Sequence, residues 1–539
     1  MTEAVHGGVI AARALKALGV EHLFVLTGGH IFPLLDGARE EGIRIVDFRH
    51  EQSAAYAAEG WSRLTRSLGV CAVTAGPGVT NIMSPLAQAR FNSAPVLALA
   101  GRAPTYRWGQ GSLQEIDHVP FVAPLAEAKT VTDTAAIADE ILAAAERADR
   151  HPRGPQFLDF PLEVLFNTLD VEIGPPHVQL TGGVVLFRGK PTIPELIEEA
   201  QRPVLVVGSN VWLDRAEDSL RELVEAAEIP VYMNGQGRGC LPADHRLVFS
   251  RSRSAALKQA DLVIVAGAPL DFRLGFGQGF APDARVVHLD STAVTEHIPL
   301  AAAGVKAPLN LSFHAITVGI RKPPDTKEWL DTLRGMEEEK RTQVQEELHS
   351  PARPIHPMRI YGELVPLLDR DAIVIGDGGD FVSYAGREVP SFEPGRWLDP
   401  GPYGCLGCGP GYAIAARLAH PNRQVVLLFG DGAIGFSGTE LETMVRLKLP
   451  VVCIVGNNGI WGLEKHPMRA LYGQDVAAEL QPGIRYEQMM EAFGGRGELV
   501  EDPDDIGPAL KRAFDAGEPY LVNVLTDPEI AYPRSANLA

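Results

Sequence analysis

Short apolar runs alternate with helix-like segments along almost the whole chain, and this pattern is what most limits the folds open to it. Each run ends at glycine or another turn residue. Strands separated in this way by helices are typical of parallel sheets covered by helices on both faces. The runs between Val9 and about Asn167 are HLFVL, GVCAVT, PVLALAG and PQFLDFP. The sequence therefore predicts the α/β class, built from doubly wound parallel sheets.

The same pattern returns twice more. A chain of 539 residues is expected to form three domains at about 150 residues each. The second set of runs is RPVLVVGSN, ADLVIVAGAP and ARVVHLD, and the third is DAIVIGDGG, QVVLLFGDG, LPVVCIVGNN and PYLVNVL. The mixed stretch from Asp170 to Pro191 predicts a linker, and PARPIHP predicts another boundary. We expect domains at residues 1–168, 188–345 and 354–539.

Charge and cysteine content exclude several classes of partner and location. The chain has 49 Lys and Arg against 68 Asp and Glu, a net charge of −19, which repels a nucleic-acid backbone. Its beginning has no basic segment followed by an apolar run, and no apolar run approaches the about 18 residues of a membrane span. Five scattered cysteines fit a reducing compartment. We expect a cytoplasmic protein without nucleic-acid or membrane partners.

Two polar motifs flank one helix in the stretch GDGAIGFSGTELETMVRLKLPVVCIVGNN, residues 430–458. Asp431 follows one apolar run and Asn458 follows the next. Parallel strands joined by one helix lie side by side, so these two side chains are expected to be neighbours at the ligand-binding edge of a sheet. A carboxylate and an amide oxygen suit Mg²⁺ that also holds phosphates. The alternative interpretation is a helix-capping Asp and an Asn turn.

This motif resembles the thiamine diphosphate enzymes, which carry GDG, then NN after a similar interval. The resemblance implies that Asp431, Asn458 and a backbone carbonyl hold Mg²⁺. That carbonyl is assigned to Ile460, with Gly459 as the alternative. The resemblance also implies that three small residues contact the diphosphate: Gly430, Gly432 and Ala433. The segment YGCLGCGPGYAIAA resembles the family's cofactor-supporting wall, with Gly404 and Leu406 in contact with the cofactor; its C-x-x-C lacks a second ligand pair for zinc.

The resemblance also implies a second half-site in the first domain. Glu51 stands after an apolar run at the start of a helix, where the family's glutamate, supplied by a partner subunit, bonds N1′ of the aminopyrimidine for acid–base catalysis. The alternative is a helix N-terminal Glu stabilised by the helix dipole. The stretch TAGPGVTN resembles the turn beside the pyrimidine and implies contacts from Gly76, Pro77, Gly78 and Asn81. A homodimer or homotetramer with sites at the subunit interface is expected.

Substrate motifs point in two directions. LTGGHIFPLLD and SLQEIDHV resemble acetolactate synthases, whereas the middle region and the C-terminal YPRSANLA resemble 2-hydroxyacyl-CoA lyases and oxalyl-CoA decarboxylases. Gln114 stands where the lyases have Gln and the decarboxylases have Glu. Gln114 and His30 are the predicted contacts of a substrate hydroxyl, with a solvent-facing loop as the alternative for His30.

The middle domain is expected to hold part of an acyl-CoA substrate, or ADP. Four arginines are predicted to bind coenzyme A phosphates, with ordinary surface charge and a frayed C-terminus as the alternatives: Arg251, Arg253, Arg273 and Arg534. The leading hypothesis is a 2-hydroxyacyl-CoA lyase that acts on 2-hydroxyisobutyryl-CoA. The second is an acetolactate synthase-like carboligase of 2-keto acids, with flavin in the middle domain.

Overall fold

A computed structural model of the chain describes residues 4–170, 191–292 and 301–533. Within these ranges it has three parallel sheets of six strands, each flanked by helices, and one small antiparallel pair. The predicted α/β class with three doubly wound sheets is confirmed. Residues 171–190 of the predicted linker lie outside the described residues, and the domain boundaries stay predictions.

The first sheet lies within residues 4–170 in the order β3-β2-β4-β5-β7-β6. Its strands, with the small pair β1 and β8, are β1 (Val5–His6), β2 (His22–Val25), β3 (Arg44–Asp47), β4 (Gly69–Val73), β5 (Val96–Arg102), β6 (Glu127–Thr130), β7 (Gln156–Pro161) and β8 (Thr168–Leu169). The helices are α1 (Gly7–Ala17), α2 (Phe32–Glu40), α3 (Glu51–Thr65), α4 (Pro77–Asn81), α5 (Met83–Phe91), α6 (Val119–Val122), α7 (Ile137–Asp149) and α8 (Leu162–Phe166). The strand order reverses between β2 and β4, which leaves a crevice there.

The second sheet has the order β11-β10-β9-β12-β13-β14 and reverses between β9 and β12. Its strands are β9 (Pro203–Val207), β10 (Val231–Met233), β11 (Val248–Phe249), β12 (Leu262–Ala266), β13 (Arg285–Asp290) and β14 (Ala301–Lys306). Its helices are α9 (Ile193–Glu199), α10 (Ser209–Leu213), α11 (Glu217–Ala227), α12 (Arg253–Gln259), α13 (Leu309–Gly319), α14 (Lys327–Gln343) and α15 (Gln345–Leu348).

The third sheet has the order β16-β15-β17-β18-β20-β19 and reverses between β15 and β17. Its strands are β15 (Ile373–Asp377), β16 (Trp397–Leu398), β17 (Val425–Gly430), β18 (Val452–Asn457), β19 (Arg496–Val500) and β20 (Tyr520–Leu525). Its helices are α16 (Pro357–Leu364), α17 (Gly379–Glu388), α18 (Gly409–Ala419), α19 (Asp431–Ser437), α20 (Glu440–Arg446), α21 (Gly462–Tyr472), α22 (Tyr486–Ala492) and α23 (Ile506–Asp515).

Burial explains which strands the apolar pattern predicted. The central strands β4, β9, β12 and β15 are buried on both faces, so each reads as an unbroken apolar run. The edge strands β6 and β19 carry charged residues and partly exposed side chains, and the pattern missed them. In the GDG segment α19 begins directly at Asp431, so this residue lies in the first turn of a helix.

The first and third sheets share one hydrophobic core through the packing of α3 on α18. A buried polar network crosses this contact. Arg63 is 1 % exposed, donates to the Tyr412 hydroxyl at 3.0 Å, and lies 3.6 Å from the carboxylate of Glu59. A paired and hydrogen-bonded charge of this kind fixes the register of two helices. Among the described residues, no helix is long and apolar enough to cross a membrane.

Candidate active site

The reversal point of the third sheet carries the predicted metal residues. Asp431, 4 % exposed, follows β17, and Asn458 follows the neighbouring strand β18, as the sequence predicts. The Asp431 carboxylate accepts hydrogen bonds from the backbone N–H of Gly459 at 2.6 Å and from that of Gly432 at 3.1 Å. The two motifs at the ends of residues 430–458 therefore meet in one place.

A second carboxylate, which the sequence analysis missed, lies beside this pair. Asp380 follows β15 and accepts a hydrogen bond from the Asn458 amide at 3.3 Å. Burial raises the pKa of Asp431 to about 7, and the charge of Asp380 adds to that rise. Asp380 stands just past the end of an apolar strand, and the same strand-end rule could have found it.

The donor set fits a hard cation. A buried carboxylate with a raised pKa gains most from a bound cation, because the cation compensates the charge that burial disfavours. The Gly459 carbonyl already accepts a hydrogen bond from Leu480 N–H at 2.8 Å, which favours the Ile460 carbonyl as the third ligand. Among the described residues no group of three or more His, Cys, Asp or Glu could hold a metal, so the predicted site relies on amide and carbonyl oxygens.

A cavity of about 1270 Å³ opens at this edge, between the middle and C-terminal domains. Its lining includes most of the residues predicted to contact the cofactor or metal in this half: Gly404, Leu406, Gly430, Asp431, Gly432, Ala433 and Ile460. A Cβ at position 432 would lie 2.4 Å from the ring of Trp461, so only glycine fits there. These residues form a cradle in which backbone can approach a diphosphate closely.

Asp377 holds the loop that presents Leu406. It is fully buried, and its carboxylate accepts hydrogen bonds from the N–H groups of Gly407 at 3.0 Å and Gly409 at 2.8 Å. Burial raises its pKa to about 7, and these two hydrogen bonds oppose the rise. Burial likewise raises the pKa of Cys405 and of Cys408, so the C-x-x-C of this loop carries protonated thiols.

The reversal point of the first sheet carries the other predicted half-site. Glu51 begins α3, is 8 % exposed, and accepts a hydrogen bond from the Asn81 amide at 2.9 Å. Gly76, with φ +58°, precedes α4, which contains Pro77, Gly78 and Asn81. The structure thus brings the predicted pyrimidine-side residues together.

His30 and Gln114 are joined through Thr74, a residue that the sequence analysis did not single out. The Thr74 hydroxyl lies 3.2 Å from His30 Nδ1 and donates to Gln114 Oε1 at 3.3 Å. His30 is buried rather than solvent-facing, and burial lowers its pKa, so its imidazole is neutral near pH 7. Gln114 has φ +59°, a conformation that costs a non-glycine residue energy and is often retained at functional sites.

The two predicted half-sites do not line the same described cavity. The lining of the large cavity includes none of the predicted N-terminal residues Glu51, His30 or Gln114. Exposed apolar side chains lie close to the N-terminal half-site: Phe32 is 57 % and Leu113 is 76 % exposed. Isolated apolar residues are common on surfaces, but here they border polar residues that converge on one point.

The four predicted coenzyme A arginines differ in their surroundings. Arg251 is paired with Glu388, and Arg273 with Asp271, so both charges are neutralised within the chain. Among the described residues Arg253 has no carboxylate partner, and burial lowers its pKa. Arg534 lies outside the described residues.

Arg238, which the sequence analysis missed, also lines the cavity. It donates to the backbone carbonyls of Gly386 and Val389 and lies over the Trp397 ring at 4.2 Å. Burial lowers its pKa to about 10; the charge of Asp399 opposes this shift and the charge of Arg253 adds to it. A guanidinium group whose protonation a neighbouring guanidinium disfavours gains from a bound anion.

The chain is similar to known proteins over nearly its whole length. Three domain models of the thiamine pyrophosphate enzymes match: the N-terminal TPP binding domain at residues 5–121, the central domain at 192–303, and the C-terminal TPP binding domain at 377–524. The chain belongs to the thiamine pyrophosphate enzyme family. Thiamine pyrophosphate is thiamine diphosphate, so the suspected family and its cofactor are supported by both TPP binding domains.

Individual relatives carry two kinds of name. The acetolactate synthase large subunit IlvG of Mycobacterium tuberculosis is 50% identical over 100% of this chain and 98% of its own length. The 2-hydroxyacyl-CoA lyase 2 of Bos taurus is 34% identical over 96% of this chain and 90% of its own length, and that of Homo sapiens is 33% identical over the same shares. These matches establish a thiamine diphosphate enzyme and leave the choice between lyase and carboligase to the site.

Proposed function

We propose that the protein is a thiamine diphosphate-dependent 2-hydroxyacyl-CoA lyase. Its reaction cleaves a 2-hydroxyacyl-CoA into formyl-CoA and a ketone or aldehyde, with 2-hydroxyisobutyryl-CoA and acetone as the proposed substrate and ketone. The observation that carries the proposal is Arg253, a half-buried cation without a carboxylate partner among the described residues, in the cavity that also holds Asp431. A 2-keto acid has no phosphate for this cation, whereas coenzyme A has several.

The cofactor site is shared by any member of the family. Asp431, Asn458 and the Ile460 carbonyl would hold Mg²⁺, and the cradle that ends at Ala433 would hold the diphosphate. Bound there, thiamine diphosphate supplies an electron sink for breaking a carbon–carbon bond. What distinguishes a lyase is therefore the handling of the thioester and of its 2-hydroxyl group.

His30 and Gln114 are proposed to act on that hydroxyl. During cleavage the 2-hydroxyl proton leaves, the C1–C2 bond breaks with its electron pair on the thioester carbon, and that carbon takes up a proton. A neutral imidazole can accept the hydroxyl proton, and the lowered pKa of His30 keeps the ring neutral. The side chain of Gln114, joined to His30 through Thr74, is placed to orient the same hydroxyl.

We propose that a second copy of the chain completes each site. Glu51, the proposed acid–base group for the pyrimidine, does not line the cavity at Asp431, because it begins α3 in the N-terminal domain. A partner subunit that places its Glu51 edge over this cavity would supply the missing group and cover Phe32 and Leu113. A homodimer is the smallest assembly of this kind, and a homotetramer would contain two such dimers.

A further nucleotide site is proposed at the reversal point of the middle sheet. A cavity of about 890 Å³ lies there, lined by Gly208, Gly267 and Asp290 at the carboxyl ends of β9, β12 and β13. Asp290 is 2 % exposed and accepts hydrogen bonds from Asn210 and Thr292. ADP is the proposed ligand; the carboligase alternative would place flavin in the same domain.

The choice between lyase and carboligase is tested by product analysis. The purified protein, with thiamine diphosphate and Mg²⁺, is offered 2-hydroxyisobutyryl-CoA, lactyl-CoA and pyruvate in separate reactions. We expect formyl-CoA from a hydroxyacyl-CoA and no flavin absorbance in the protein. Acetolactate from pyruvate, without thioester cleavage, would instead establish the carboligase, which the 50% identity to acetolactate synthases favours.

The Arg253→Gln variant tests the coenzyme A assignment directly. Losing a charge-assisted contact to phosphate costs about 1.5–3 kcal/mol, so we expect KM for the acyl-CoA to rise on the order of 10- to 100-fold with a small change in kcat. Arg334→Gln is the matched control, because Arg334 pairs with Asp331 on the solvent side of α14. Equal KM values in the two variants would remove Arg253 from the substrate site.

A further inference from the structure

The turn at Gly76 is held by a buried histidine that none of the assignments above uses. His118 is 1 % exposed, and its Nε2 accepts a hydrogen bond from the Gly76 N–H at 2.9 Å. Its other ring nitrogen, Nδ1, lies 2.8 Å from the Asp159 carboxylate. Because Nε2 is an acceptor, the proton of the neutral ring must be on Nδ1, where it is donated to Asp159.

Asp159 is itself fixed in place. It is fully buried on β7, and the oxygen that accepts from His118 also lies 3.0 Å from Arg102 Nη1. A second contact of Arg102, with Asp117 at 3.0 Å, holds the guanidinium beside the segment that contains His118. The contact with Arg102 holds the carboxylate in place, and the carboxylate, as an acceptor at Nδ1, selects one tautomer of the histidine.

The Gly76 turn connects the His118 contact to the predicted catalytic residue Glu51. Gly76 has φ +58°, and a Cβ there would lie 2.9 Å from Gln114 Cβ, so the turn has one compatible residue and little freedom. It leads directly into the five-residue helix α4, and the last residue of α4, Asn81, donates to the Glu51 carboxylate at 2.9 Å. The chain of contacts thus runs from Arg102 to Glu51.

We propose that His118 is a positioning residue: in the tautomer that Asp159 imposes, it fixes the Gly76 turn and, through α4 and Asn81, the carboxylate of Glu51. Loss of the acceptor at Nε2 would leave the buried Gly76 N–H unpaired and let the turn move. Displacements of about 1 Å at a catalytic group can cost on the order of 100-fold in rate. This inference rests on the proposed role of Glu51 toward the cofactor and holds for either substrate class.

The test measures deuterium exchange at C2 of bound thiamine diphosphate, cofactor affinity and thermal stability. In His118→Leu we expect exchange to slow by about 10- to 100-fold while cofactor affinity changes by less than about 3-fold, because the diphosphate is held elsewhere. His118→Gln carries both an acceptor and a donor and should recover most of the rate. Phe157→Leu is the control, because Phe157 packs against the His118 ring without a hydrogen bond.

A second variant keeps the test decisive if His118→Leu does not fold. In Asp159→Ala the oxygen that accepts from both Arg102 and His118 Nδ1 is lost, so nothing holds the ring proton on Nδ1, away from the Gly76 N–H. Slow exchange in that variant supports the proposal. Exchange as fast as in Phe157→Leu, or no recovery in His118→Gln, would overturn it. Normal exchange in Glu51→Gln would overturn the role of Glu51 first, and this inference with it.

Discussion

Glu51→Gln should lower turnover by about 10² to 10⁴-fold, the range that general acid–base catalysis typically contributes. The amide keeps the size of the side chain and can still pair with Asn81, so the fold should stay intact. What it loses is the proton that a carboxyl group exchanges with the aminopyrimidine of the cofactor. Steady-state turnover and C2 deuterium exchange, measured at saturating thiamine diphosphate and Mg²⁺, check the expectation.

Asp139→Asn separates catalysis from the alternative helix-dipole interpretation of Glu51. Asp139 also stands in the first turn of a helix of the N-terminal domain, α7, but is exposed. Both variants remove a negative charge from a helix N-terminus, which is worth about 0.3–1 kcal/mol of stability. If Glu51→Gln lost only that stability and kept its turnover, as we expect for Asp139→Asn, Glu51 would be a structural residue.

Asp431→Asn should weaken Mg²⁺-dependent cofactor binding by on the order of 100-fold or more. Residues that merely orient metal ligands account for about 10- to 100-fold in affinity, and a charged ligand should cost at least as much. Asp502→Asn, an exposed carboxylate of the same domain paired with Arg353, is the control that should bind normally. Titration of cofactor binding against Mg²⁺ measures the effect, and equal affinities in the two variants would contradict the metal assignment.

The raised pKa of Asp431 adds a pH dependence to the same measurement. Only the carboxylate binds the cation, so Mg²⁺ affinity of the wild-type protein should fall about tenfold per pH unit below pH 7 and level off above it. In the metal-free protein the free energy of unfolding changes with pH in the opposite direction to the Mg²⁺ affinity. Because burial raises its folded pKa above the ordinary value of an aspartate, Asp431 stabilises the fold at low pH and loses that contribution as the pH rises to about 7.

Asp431→Asn should remove its share of both pH effects. Asp377 has a pKa raised to about 7 for the same reason, burial, so a part of the stability change should persist in the variant. Thermal unfolding at pH 5 and pH 8, measured first without and then with added Mg²⁺, separates the contribution of Asp431 from that of Asp377. A pH dependence of Mg²⁺ affinity that survives in the variant would show that another group titrates.

The parts of the site that could be predicted are those that depend on residues close together in the sequence. Asp431 and Asn458 each follow an apolar strand, and one intervening helix is enough to place parallel strands side by side. The same local rule placed Glu51 at a helix start. Asp380 also follows an apolar strand, but the sequence analysis missed it, because no family motif was recognised at that strand end.

Pairing between distant segments could not be read from the sequence. The three arginines in the described residues that were predicted to bind coenzyme A look alike in the printed chain. Glu388 neutralises Arg251 from 137 residues away, whereas Arg253 has no carboxylate partner among the described residues. Arg238 and Arg253 of the middle domain line one cavity together with residues of the C-terminal domain, an arrangement that the sequence does not show.

The sequence by itself determined the α/β class, the family, and the residues at the strand ends, because strand burial and short motifs depend on neighbours in the chain. Only the tertiary structure decided the strand orders, and therefore where each sheet reverses and opens a crevice. It also decided which buried charges are paired and that Asp159 sets the tautomer of His118. Those properties depend on distances between residues far apart in sequence, and chain packing alone sets them.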